Sequence, residues 1–162
     1  MENNIDKFNY YVGCVFAILQ SGFPCRISLN FVEIVGGEKC PETTSSSGRW
    51  TGRYLVNGEV QDITKELEFV CETVNWLYET DYLIGSVGVT ELGKSALVTL
   101  SPKSLEILKV VPSSIDASEK EKSIGQELSE AFNSAAKKQI TDVASKALSY
   151  LFKIGWGALS GP

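Results

Sequence analysis

Apolar residues recur at helical spacing in the first half of this chain. Between Phe8 and Leu19 they fall every three or four positions, which predicts a first amphipathic helix. Ser28 can cap a second, short helix that ends at Gly36-Gly37. The clearest pattern runs over residues 62–80, where five apolar residues share one stripe and predict a third helix that faces a core. Those five residues are Ile63, Leu67, Val70, Val74 and Leu77.

Strand-like alternation follows the third helix and predicts a small β-hairpin. Residues 82–84 form one strand, the glycine-rich segment 85–95 forms the turn, and residues 96–100 return. Ser101 then suits the N-cap, and Pro102 the first position, of a helix that ends near residue 112. Earlier in the chain, residues 38–58 predict a flexible loop or flap that contains one strand at 49–56.

The C-terminal third has a different pattern. Residues 113–122 are polar and charged and predict a linker, and residues 123–154 predict one or two amphipathic helices. The glycine-rich segment 155–162 predicts a mobile tail. The apolar arc of the last helix consists of Ile140, Val143, Ala144, Ala147, Leu148, Leu151 and Phe152.

Three uses are open to this apolar arc. It can fold back over the rest of the chain, pair with its twin in a homodimer, or lie in a membrane interface. In the membrane interpretation, residues 140–156 make the contact, with the lysines towards the headgroups and Trp156 at the boundary.

The order helix, helix, long helix, hairpin, helix, with YETDYLIG leading into ALVTLSPKSLEIL, resembles the winged helix-turn-helix superfamily. In its antibiotic-resistance-type and PadR-type regulators, the wing returns into a Leu-Thr-x-Lys-Gly helix start, and residues 100–104 stand in that place here. The chain also resembles uncharacterised bacterial proteins in which a small-residue-rich C-terminal helix follows such a wing. The resemblance implies an α+β fold, mainly α with a small β-hairpin, with a winged-helix-like domain over residues 1–112.

Composition narrows the function classes. The 162 residues contain no histidine, which excludes histidine-dependent catalytic triads and histidine-ligated metal sites. The four cysteines, Cys14, Cys25, Cys40 and Cys71, form no CxxC pair, so we expect buried free thiols rather than a metal or redox site. No catalytic motif and no cofactor are predicted, and the acidic N-terminus favours a cytoplasmic protein without a secretory signal.

One nucleotide-binding pattern is present. Residues 88–95, GVTELGKS, match the phosphate-binding loop pattern GxxxxGK[ST] at every fixed position. That loop requires a helix that begins at the lysine, but residues 96–100 are strand-like and Pro102 would interrupt such a helix. We therefore interpret the segment as part of the hairpin, and the chain as a non-enzyme.

Charge argues against the usual use of a winged helix. The chain has a net charge of −5, and residues 62–81 alone carry six acidic residues and one basic residue. DNA binding depends on lysine and arginine contacts to phosphates. Lys94, Lys103, Arg49 and Arg53 are the candidates for that alternative, a DNA-binding transcriptional regulator, which the acidic third helix disfavours.

Two aromatic residues lie seven positions apart on a second stripe of the third helix. Phe69 and Trp76 are flanked there by three glutamates, a pattern typical of a protein–protein contact. Those glutamates are Glu68, Glu72 and Glu79. The alternative is that both rings pack under the C-terminal helix or under the 49–56 flap. The sequence therefore favours a protein-interaction or adaptor module, with a C-terminal helix for dimerisation or docking.

Overall fold

The structure, a computed structural model, describes residues 2–39, 54–90, 93–111 and 122–159. Over these ranges the chain is a mixed α+β protein with six helices and two small antiparallel sheets. The helices are α1 (Asn4–Gly22), α2 (Phe31–Ile34), α3 (Thr64–Glu79), α4 (Pro102–Leu108), α5 (Ile124–Asn133) and α6 (Lys137–Leu159). The strands are β1 (Ile27–Ser28), β2 (Gly37–Lys39), β3 (Tyr54–Val56), β4 (Glu59–Gln61), β5 (Leu83–Thr90) and β6 (Gly93–Leu100).

The larger sheet has the order β1-β6-β5. β5 and β6 pair continuously from Leu83 opposite Leu100 to Thr90 opposite Gly93, so the prediction of a turn over residues 85–95 is wrong. Glycine is needed at this point because the two strand backbones approach each other closely, not because the chain turns. Gly85 has a φ of +139°, and a Cβ atom on it would collide with the carbonyl oxygen of Leu97.

The smaller sheet, of order β2-β3-β4, lies between α2 and α3 in the chain. Its second hairpin turns at Asn57-Gly58, where both residues have positive φ (53° and 80°), as a tight primed turn requires. Within the flap predicted over residues 38–58, the structure places a strand at Tyr54–Val56. The rest of the predicted strand, and the polar loop before it, lie in residues 40–53, outside the described ranges.

Polar side chains cap the N-termini of four described helices, the first of them α1, where Asn3 accepts a hydrogen bond from the backbone N of Asp6. Ser101 accepts a hydrogen bond from the backbone N of Ser104 and caps α4, as predicted, although α4 ends at Leu108 and not near residue 112. Ser123 and Gln126 form a reciprocal capping box at the start of α5. Asn30 caps α2, so the prediction that Ser28 does so is wrong. Ser28 pairs with Leu97 in the larger sheet and is therefore not available as a cap.

The predicted apolar stripe of α3 is confirmed. Ile63, Val70, Val74 and Leu77 are each at most 4% exposed, and Leu67 is half-buried. Val70, Val74 and Leu77, with Leu67 at the edge, pack with α1 and the larger sheet in one core, whereas Ile63 lies against Gly37 of β2. The largest fully buried side chains of α1 and β6 in this core are Val12, Val15, Phe16, Leu19 and Leu100.

The C-terminal helices fold back over α1. Ile140, Val143, Ala144 and Ala147 of α6 are buried, so this part of the apolar arc is covered within one chain. Helix α6 continues to Leu159, so the prediction that it ends at residue 154 is wrong. A glycine in a helix costs only about 1 kcal/mol relative to alanine, so the two glycines at 155 and 157 do not by themselves stop it. The linker predicted over 113–122 and the end of the predicted tail lie mostly outside the described residues.

Candidate interaction groove between α1 and α3

One side of α3 lies against the first turns of α1. Phe69, Thr73 and Trp76 project from the same side of α3, because they are four and three residues apart. With Phe8 of α1 they line a groove of about 320 Å³, which we call the aromatic groove. The groove lies on the surface, and neither of its two sequence-predicted aromatic residues is fully buried.

The indole of Trp76 is held between two other rings. Phe8 meets it edge to face, with ring centroids 5.1 Å apart and an interplanar angle of 90°. Tyr82 stacks on it at 5.5 Å and 20°. Trp76 nevertheless remains 41% exposed. The covering rings therefore orient the indole and leave a large part of its surface open to solvent.

Lys103 of α4 extends this row of rings. Its Nζ donates a hydrogen bond to the carbonyl oxygen of Thr80, at 2.9 Å, and lies 4.1 Å from the centroid of the Tyr82 ring. The last turn of α3 contains no basic residue, so Lys103 supplies positive charge at the negative end of that helix. The side chain is engaged in a cation–π contact and a hydrogen bond within the chain.

Carboxylates border the groove on the α3 side. Glu72 and Glu79 are exposed and line it, together with Asn75. Glu68 is exposed on the same helix but does not line the groove. Four of the five residues predicted as a contact surface are thus brought together, and their role in binding stays a prediction.

The other end of the groove is fixed by an ion pair. Lys7 of α1 lies 2.5 Å from Oε1 of Glu66, and the Tyr11 hydroxyl donates to Oε2 of the same carboxylate at 3.0 Å. Lys7 also lies 4.6 Å from the centroid of Phe69. Burial raises the pKa of Glu66, but the hydrogen bonds from Lys7 and Tyr11 outweigh it, so the pKa lies below its usual range. Burial and the hydrogen bond to Glu66 raise the pKa of Tyr11.

The residues of the DNA-binding alternative are not assembled into a surface by the described part of the chain. Arg49 and Arg53 lie outside the described residues. The backbone of Lys94 is in β6, opposite Val89, and Lys103 is engaged with Thr80 and Tyr82. The strand pairing also excludes a phosphate-binding loop at residues 88–95, because Lys94 is in a strand and no helix begins there.

Sequence reasoning missed the lining residues Phe8, Thr73 and Asn75, and the ring contacts that Tyr82 and Lys103 make beside the groove. Phe8 fits the apolar spacing of α1, so nothing local separates it from the core residues of that helix. Tyr82 was placed in the first strand of the hairpin, where its contact with Trp76 depends on how α3 ends. That end is set by Asp81, whose φ of +64° turns the chain sharply into β5.

The described residues were also searched for a metal site. Within those residues, no three cysteine, aspartate or glutamate side chains form a cluster suited to a metal ion. None of the described helices combines the length and apolar character needed to cross a bilayer. A scan against models of known protein families, a search of curated proteins and a search of solved structures found no match.

Proposed function

We propose that this chain is a non-enzymatic protein-interaction module whose aromatic groove binds a basic, amphipathic segment of a partner protein. The observation that carries the proposal is the 41% exposure of Trp76 while Phe8 and Tyr82 hold its ring in place. Tryptophan is enriched at the centres of protein interfaces, and a ring fixed before binding loses little conformational entropy on contact.

The chemistry of the partner follows from the border of the groove. Glu72 and Glu79 present carboxylates beside apolar rings, so a partner with lysine or arginine next to a leucine or aromatic residue complements both features. Phe69, Thr73 and Trp76 extend along about two turns of helix, which suits a helical segment lying in the groove. The net charge of −5 would assist association with such a segment.

The test uses two synthetic helical peptides with identical leucine positions. One carries lysines and the other glutamates at the remaining surface positions, and binding is measured by calorimetry at low and physiological salt. We expect the basic peptide to bind and the acidic peptide not to bind. Trp76→Ala should lower the affinity for the basic peptide at least tenfold. Glu79→Gln should lower this affinity severalfold, and the affinity should then depend less on salt concentration than it does in the unmodified chain.

Two matched variants test whether the groove itself is responsible. Tyr78 is 38% exposed on α3 but does not line the groove, so Tyr78→Ala should leave binding unchanged. Glu68→Gln removes a carboxylate from the same helix outside the groove and should also have little effect. Equal affinity for the two peptides, or equal losses from Trp76→Ala and Tyr78→Ala, would contradict the proposal.

The proposal includes a second contact through helix α6, as a dimer or docking element. Residues 140–147 already pack on α1, so this contact belongs to the part of α6 beyond Ala147. A chain truncated after Tyr150 retains every α6 residue whose burial the structure describes, and it tests the assignment. We expect the full chain to be a dimer and the truncated chain a monomer in light scattering, and identical masses would remove this part of the proposal.

A DNA-binding regulator is the second candidate function. It is supported by the sheet order β1-β6-β5 and by the sequence of elements α1-β1-α2 followed by α3-β5-β6, which resembles a winged helix with the small sheet β2-β3-β4 inserted between α2 and α3. Binding to a random duplex measured over a range of salt concentrations separates the candidates. A steep loss of affinity with rising salt would favour DNA binding, and no measurable binding at low salt would exclude it.

A further inference from the structure

A second cavity, of about 500 Å³, lies where α1, β1, α2 and the turn between α5 and α6 meet. None of its described lining residues also lines the aromatic groove. Most of its wall is apolar and comes from five elements, α1, β1, α2, α5 and α6, and from the segments that connect them. The principal apolar residues are Ile18, Ile27, Leu29, Val35, Phe132 and Ile140. This volume and lining fall in the range of sites that hold small organic ligands.

Two polar groups of α1 converge on this cavity. Tyr10 and Cys14 are one helical turn apart, and both line the cavity. Burial raises the pKa of Tyr10 to about 12 and that of Cys14 to about 11. Both groups are therefore neutral at physiological pH and can serve a ligand only as uncharged hydrogen-bonding partners.

The charge at the cavity is negative. Glu33 is the one charged side chain among the described lining residues, and it is exposed at the rim. Lys137 lies near the cavity but does not line it: its Nζ is 4.9 Å from the centroid of the Tyr10 ring and 3.1 Å from the carboxylate of Glu2. A carboxylate in the cavity would face Glu33 without a cation among the described lining residues, whereas an amine would be attracted to Glu33.

We propose that this cavity binds a small amphiphilic amine, with its alkyl chain among the apolar side chains and its ammonium group at the rim beside Glu33. The apolar wall supplies affinity by removing methylene groups from water. Glu33 supplies the preference for a cation over an anion of the same length.

Three probes of equal length test the chemistry: octylamine, octanol and octanoate, each titrated into the full chain by calorimetry. Octylamine should bind most tightly, octanol more weakly and octanoate least. Hexylamine should bind roughly fifteenfold more weakly than octylamine, because each buried methylene contributes roughly a fourfold change in affinity. Glu33→Gln should reduce the affinity for octylamine severalfold while leaving that for octanol unchanged.

A cavity-filling variant tests the location. Val35→Trp should abolish binding of octylamine, whereas Val60→Trp, at a position 56% exposed on β4 and outside the cavity, should not. Circular dichroism spectra identical to that of the unmodified chain establish that both variants fold. Binding retained in Val35→Trp, octanoate binding as tightly as octylamine, or no binding of any probe would each overturn the proposal. If Val35→Trp does not fold, Glu33→Gln alone decides it.

Discussion

Gly13 of α1 lies so close to Ile140 of α6 that a Cβ atom at position 13 would be 2.5 Å from the Cγ2 atom of Ile140. The carbonyl oxygen of Ile140 would be only 3.2 Å away from the same atom. The absence of a side chain at one residue therefore sets the distance between the two helices. It also explains why α6, with its alanines at 144 and 147, can cover α1.

The first prediction concerns this contact. Gly13→Ala forces the helices apart and should lower the free energy of unfolding by about 1–3 kcal/mol, the usual cost of overpacking. Gly88→Ala is the control, since a Cβ atom at Gly88 would meet nothing within 4 Å. Urea denaturation measures the free energy of unfolding of both variants. A Gly13→Ala variant as stable as the Gly88→Ala variant would show that α6 does not pack there.

The second prediction concerns pH. Glu66 has a lowered pKa in the folded chain, so its ionised form is the one that folding favours. The stabilisation is present above the unfolded-state pKa, about 4.3, and is lost as the pH falls through the folded-state value. Glu66→Gln should therefore reduce the free energy of unfolding by up to about 1 kcal/mol at pH 7. The difference from the unmodified chain should shrink below pH 4, and a difference that grew on acidification would contradict this.

The third prediction separates the two roles considered for Lys103. Because Lys103 bonds to the carbonyl of Thr80 and contacts Tyr82, Lys103→Gln should lower the free energy of unfolding by about 1 kcal/mol. Lys109→Gln, at an exposed lysine after the same helix, should change it by less than about 0.5 kcal/mol. If Lys103→Gln leaves stability unchanged and instead reduces DNA affinity, the lysine serves phosphate contact.

The fourth prediction concerns thiol reactivity. Cys14 and Cys71 are buried, as expected, whereas Cys25 is exposed, so the prediction of a buried thiol is wrong at that position. Burial raises the pKa of Cys14 to about 11, so at pH 7.5 only about 0.03% of it is thiolate. In a Cys40→Ser background, a disulfide reagent should modify one thiol quickly. Cys25→Ser should remove that fast phase, and a fast phase that survived would place an exposed thiol elsewhere.

The fifth prediction concerns nucleotides. Since residues 88 and 93–95 of the phosphate-loop pattern are paired in a hairpin, their backbone N–H groups do not wrap an anion. Magnesium ATP at millimolar concentration should leave the melting temperature unchanged. A saturable rise in the melting temperature that Lys94→Ala abolished would contradict the strand assignment.

The parts of this fold that the sequence predicted are those governed by local spacing. The stripe from Ile63 to Leu77 has helical periodicity, and Ser101-Pro102 is a strong helix start, so both appear where they were expected. Asn57-Gly58 was an equally local signal for a tight hairpin, and it could have been used.

The parts that the sequence did not predict depend on distant neighbours. The glycine at position 85 is typical of a turn in sequence. In the structure, glycine is required there because a Cβ atom would collide with the carbonyl oxygen of Leu97 on the adjacent strand. Phe8 and Trp76 are 68 residues apart, and their contact follows from the way α1 crosses α3. Periodicity identified the exposed aromatic stripe of α3, whereas the ring that completes its groove required the structure.

Helix α1 separates the aromatic groove from the second cavity, since Phe8 lines one and Tyr10 and Cys14 line the other. A substitution in α1 therefore perturbs the walls of both at once, and a loss of function from such a variant has no unique interpretation. Genetic dissection of the two sites should instead rely on α3 and on the residue that follows α2, because Trp76 lines only the groove and Val35 only the cavity.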